Sequence, residues 1–174
     1  MTPSFPRSII AGVAIAGALL VGGACSGDSS GGSDDSVDFA SVQLSPLGDA
    51  PKLQLGEPTD KPMVVNMWAT WCVPCRKEMP DFENVAGEHR SSVRFVGVNL
   101  GDTESAAAKF VAETGVTFDQ YLDPDMTAQA ALSIVNMPST VLLRADGTIA
   151  TTHSGALDAT ELRRLLRDEL GIGD

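Results

Sequence analysis

Residues 68–80 read WATWCVPCRKEMP, with Cys72 and Cys75 two residues apart and Pro74 between them. The apolar run 63–69, MVVNMWA, leads into this stretch and reads as a central strand covered on both faces. A helix is expected to begin at the cysteines and run to about His89, bent or restarted at Pro80, because proline removes an amide donor and crowds the preceding turn. Three chemistries compete for such a pair: reversible redox, half of a metal site, or a structural staple.

Outward from this centre the chain alternates strands and helices. Val42, Leu44 and Leu47, then Leu53 and Leu55, suggest two short strands about a Gly48-Asp49 turn. Val93 to Leu100 reads as a second central strand. Glu104 to Thr114 has helical spacing and Gly115 ends it. Phe118 to Leu122 reads as a short strand and Met126 to Leu132 as a short helix after Pro124. Ser139 to Arg144 and Ile149 to Ser154 flank an Asp146-Gly147 hairpin signal. The last helix opens with Asp158 as N-cap, Glu161 as its capping-box partner, and Leu157 stapled onto Leu162. This order predicts an α/β domain over residues 39–174, a mixed sheet with helices on both faces and an N-terminal β-hairpin extension. Phe82, Val85, Val93, Val96, Val98, Val141, Leu143 and Leu162 read as core, and His89 and His153 as surface.

The amino terminus carries a different message. Arg7 precedes a stretch that is apolar from Ile9 to Ala24, short for a membrane span and ordered as an export signal over residues 1–24. It ends in Val21-Gly22-Gly23-Ala24-Cys25, which resembles a lipoprotein cleavage box, with Gly22 where that box carries a larger aliphatic residue. Lipidation at Cys25 would leave no odd thiol in an exported protein. Residues 25–38, rich in Ser, Gly and Asp, read as a flexible tether. The whole chain has 12 Lys and Arg against 23 Asp and Glu. Such acidity argues against a nucleic-acid partner and offers no basic patch for anionic lipid.

A closed zinc site needs four ligands, and His89 and His153, far apart in sequence, complete none, so no metal is expected. A staple across two intervening residues closes a tiny loop and gives little stability in the chain-entropy model. The redox reading explains more. Cys72 stands where strand gives way to helix, near unpaired amides and the positive end of the helix dipole, which favour thiolate. Arg76 and Lys77 add positive charge in the next turn.

The WCxPC run after an apolar strand, the later Met137-Pro138-Ser139-Thr140 before another strand, and the Asp-Gly hairpin together resemble the thioredoxin-like fold, in its exported TlpA, ResA and DsbE branch. The resemblance covers about Phe39 to the end. It implies Cys72 as nucleophile, Cys75 as resolving cysteine, Trp71 as a shield that meets substrate, and Pro138 as a cis-proline with Met137 presenting backbone to a substrate strand. Thioredoxins carry a buried Asp six residues before the first cysteine; here stands Asn66. The membrane-tethered branch instead places a Glu three after the second cysteine, and Glu78 is then the candidate acid-base, in contrast to a merely solvated helix residue. Trp68 reads as core.

The resemblance further implies an enzyme, a thiol-disulfide oxidoreductase needing no cofactor beyond its own disulfide. Its partners would be exported cysteine-containing proteins, an apocytochrome c among them, and a membrane thiol-disulfide electron carrier. It would be a monomer on the outer face of the cytoplasmic membrane, working as reductant or as oxidant. A non-enzymatic binding or carrier lipoprotein is the alternative, and a thiol peroxidase a weaker one, because no PxxxTxxC pattern surrounds Cys72.

Overall fold

The structure, a computed structural model, describes residues 38–173. The export signal, Cys25 and the tether up to Val37 lie outside the described residues.

In chain order a 3-10 turn (Phe39–Ser41) leads to β1 (Gln43–Pro46), β2 (Leu53–Gln54), β3 (Met63–Trp68) and α1 (Val73–His89). Then come β4 (Arg94–Leu100), α2 (Glu104–Thr114), β5 (Asp119–Asp123), α3 (Thr127–Ala131), β6 (Ser139–Leu143), β7 (Ile149–Ser154) and α4 (Ala159–Leu170). One seven-stranded sheet runs β2-β1-β5-β4-β3-β6-β7. β3, β4 and β5 are parallel, joined by the crossover helices that parallel strands require, while β6 and β7 return antiparallel beside β3. The β1-β2 hairpin extends the opposite edge antiparallel to β5.

Strand alternation sorts the apolar residues onto two faces. Met63, Val65 and Met67 of β3 pack with Val96, Val98 and Leu100 of β4, and Ala128 of α3 covers that face together with Leu132 and Ile134. On the other face Val64 meets Phe82, Val85 and Ala86 of α1 and Leu162, Leu165 and Leu166 of α4. Trp68 continues this second face and stacks on Phe110 of α2, ring centroids 4.5 Å apart. Helices therefore cover both faces, three on one and the short α3 on the other. All eight residues read as core are buried.

Two expectations need correction. α1 does not restart at Pro80: it is one helix of 17 residues with Pro80 inside it. Pro80 points to solvent, and the buried Met79 and Phe82 on either side hold the helix against the sheet. His89 is buried, not on the surface. It stands three residues after Ala86, four after Val85 and seven after Phe82, so helical periodicity carries it onto the packed face of α1.

Candidate functional site

The site forms where the apolar β3 ends and α1 begins. Cys72 is the N-cap of α1, and its Sγ accepts the N–H of Cys75 at 3.2 Å. Pro74 occupies the first turn, where its missing N–H costs nothing and its fixed φ suits the helix. Cys72 and Cys75 form a disulfide with Cα atoms 5.3 Å apart. Cys72 keeps 3% of its surface exposed and Cys75 none, so the first sulfur is the one that meets solvent. Once the disulfide is reduced, the Cys75 N–H and the positive end of the helix dipole would favour thiolate at this N-capping sulfur.

The positive charge expected from Arg76 is drawn aside. Its guanidinium bonds Glu113 of α2 at 2.9 Å and lies over the Phe110 ring, 4.3 Å from the centroid. The dipole and amides of α1 thus remain the main local support for a thiolate at Cys72.

Glu78, one turn past Cys75, is 3% exposed rather than solvated. Its carboxylate accepts from Asn66 Nδ2 at 2.8 Å and from the Leu157 backbone N–H at 3.1 Å. Burial pushes its pKa up to about 7, although both hydrogen bonds pull the other way. It meets solvent through a cleft of 300 Å³ between α1 and the start of α4, lined by Lys77, Asp81, Leu157, Asp158 and Glu161. A carboxyl group that titrates near neutrality and opens to water can take and return a proton.

Asn66 and Thr140 are register partners across β3 and β6, so their side chains share one face beneath α1. Asn66 Oδ1 and Thr140 Oγ1 are both buried without a hydrogen-bond partner. The sheet therefore presents polar atoms at the level of Glu78, where an ordinary core would be apolar.

On the other side of the disulfide, Trp71 is 68% exposed. It borders a groove of 430 Å³ with Gly101, Met126, Val135 and Met137. Met137 packs against the cluster that contains both cysteines. The Met137-Pro138 peptide bond is cis, the geometry the resemblance implied, and Pro138 is buried. Trp68 is wholly buried and donates its indole N–H to Gln120 Oε1 at 2.9 Å, a core role. The structure thus gathers Trp71, Cys72, Cys75, Glu78, Met137 and Pro138 at one end of the sheet; Cys25 lies outside the described residues.

Sequence reasoning missed Asp102 and Thr70. The Asp102 carboxylate takes three bonds, from the Thr70 N–H and hydroxyl and from Asn99 Nδ2. The signal available was a Gly-Asp pair just after a central strand, but its partner lies 32 residues away. Among the described residues no group of three or more His, Cys, Asp or Glu could hold a metal ion, and no helix is long and apolar enough to cross a membrane.

The family model described as Redoxin matches residues 38–166. The thiol-disulfide oxidoreductase ResA of Oceanobacillus iheyensis is 32% identical over 136 residues, covering 78% of this chain and 71% of that protein. The thiol:disulfide interchange protein HelX of Rhodobacter capsulatus is 34% identical over 118 residues, covering 67% of this chain and 65% of the relative. The chain spans between 60% and 71% of the length of the curated ResA relatives it matches. A secreted disulfide oxidoreductase of Mycobacterium tuberculosis, described as homologous to Escherichia coli DsbE, superposes with a TM-score of 0.61 at 27% identity, covering 71% of this chain and 92% of that one.

Proposed function

Because the chain belongs to the Redoxin family, we propose that it is a thiol-disulfide oxidoreductase that exchanges its Cys72-Cys75 disulfide with cysteine pairs of other exported proteins. The observation that carries this reading is the disulfide itself, seated at the N-terminus of α1 with only Cys72 open to solvent. The names of the ResA and HelX relatives support the same chemistry.

In the reductive direction the Cys72 thiolate attacks one sulfur of a client disulfide. A new S–S bond forms, the client S–S bond breaks, and the second client sulfur leaves as thiolate and takes a proton from water. Glu78 as carboxylate then accepts the Cys75 proton, and the Cys75 thiolate attacks Cys72 Sγ. The mixed disulfide breaks, the client leaves with both sulfurs reduced, and two electrons have passed from the pair. A membrane thiol-disulfide carrier would restore the dithiol. The steps run equally in reverse, so the potential of the pair relative to the client's sets the direction.

The clients we propose are exported proteins with closely spaced cysteines, an apocytochrome c with its CxxCH site among them. The enzyme would be held at the outer face of the membrane by a lipid on Cys25. The test uses an oxidised CxxCH peptide and two reduced variants. Cys75→Ser, which lacks the resolving sulfur, should accumulate a mixed disulfide through Cys72, and Cys72→Ser should not. Accumulation in neither variant, or in Cys72→Ser alone, would overturn the assignment.

A further inference from the structure

Thr70 lies between the end of β3 and Cys72, on the turn that delivers the sulfur to α1. Its N–H donates to Asp102 Oδ2 at 2.7 Å and its hydroxyl to Oδ1 at 2.7 Å, so both carboxylate oxygens grip one residue. Asn99 Nδ2 donates to Oδ2 at 2.8 Å and fixes the carboxylate from the β4 side. Burial alone would raise the Asp102 pKa, but these hydrogen bonds hold it below the usual range, so it is ionised at neutral pH and the bonds are charge-assisted. Two residues on, the Cys72 N–H donates to Ala69 O at 3.1 Å and closes the same turn. Asp102 itself is anchored through Gly101, whose N–H donates to Asp123 O at 3.2 Å.

We propose that Asp102 is a positioning residue for thiol exchange, clamping Thr70 so that the turn keeps Cys72 Sγ at the amide end of α1. The proposal rests on Cys72 being the attacking sulfur. Asp102 carries a negative charge toward the site, which by itself disfavours a thiolate, so its geometric and electrostatic effects on Cys72 have opposite signs. The other charged groups around the turn are Arg76, Lys77 and Glu78 of α1 and Lys109 and Glu113 of α2, with Glu113 paired to both Arg76 and Lys109.

That opposition makes the test sharp. In the reduced full-length protein, the pH profile of Cys72 alkylation is compared among the natural chain, Asp102→Asn and Asp102→Ala. Asn keeps an oxygen for the Thr70 N–H and an amide for its hydroxyl while losing the charge, so the Cys72 midpoint should stay or fall. Ala releases the turn, so the midpoint should rise and alkylation at mildly acidic pH should slow by roughly tenfold. Thr70→Val, which keeps the N–H bond and loses the hydroxyl, should shift in the direction of Ala by less, and it serves if Ala fails to fold. Both Asp102 variants lowering the midpoint equally would make Asp102 a charge and not a clamp. An unchanged midpoint in every variant would reduce it to a cross-link of the fold. A natural chain whose Cys72 reacts no faster than a model thiol would remove the reading on which the proposal rests, an outcome separate from the other two.

Discussion

The raised pKa of Glu78 carries a free-energy consequence beside the acid-base role proposed for it. Its folded pKa, about 7, stands above the ordinary 4.5, so the folded state binds the proton more tightly than the unfolded chain. The stability this contributes is fully present below about pH 4.5 and is lost as pH rises through 7. The shift corresponds to about 3 kcal/mol between the two limits. In Glu78→Gln, stability relative to the natural chain should therefore rise between pH 5 and pH 8 by up to that amount, measured by denaturant unfolding of the oxidised form. The same variant should lose any inflection near pH 7 in the resolving step of thiol exchange. A relative stability and an exchange profile that do not change with pH would place Glu78 outside the chemistry.

Among the elements, β4 and β5 support the floor of the site through one close approach. A Cβ on Gly97 of β4 would run into the side-chain amide of Gln120 on β5, the group that holds the Trp68 indole. Gly97→Ala should cost about 1–3 kcal/mol by overpacking, read from the denaturant midpoint, while leaving the disulfide redox-active. An alanine variant as stable as the natural chain would show that Gln120 moves freely. The elements themselves were legible where the physics is local. The near-continuous apolar β3, the αL glycine ending α2 and the capping box of α4 each read from a few adjacent residues, and each formed. His89 was misread because its type suggests surface while its helical position points inward. Cys72 and Cys75 were legible by spacing, and Glu78 only through resemblance. Asn99, Thr70 and Asp102, and the Asn66–Thr140 pairing, were not, because each is a contact between residues that only the fold brings together.

At the scale of the whole molecule, the charge bears on how the domain would be held at a membrane. With 23 Asp and Glu against 12 Lys and Arg, the protein offers little electrostatic attraction to an anionic membrane, so the attachment proposed above would rest on an acyl chain at Cys25. The mature protein should partition into the detergent phase with acyl mass on Cys25, and Cys25→Ala should release it to the aqueous phase; a natural chain found wholly aqueous would contradict the anchor. Thiol exchange as proposed depends on a single sulfur, that of Cys72. The most direct measurement is alkylation of the reduced protein with iodoacetamide at neutral pH, mapped by mass to each cysteine. Cys72 should react at least about tenfold faster than a model thiol while Cys75 stays protected. Equal reaction at both cysteines, or at neither, would overturn the assignment of Cys72 as the attacking sulfur.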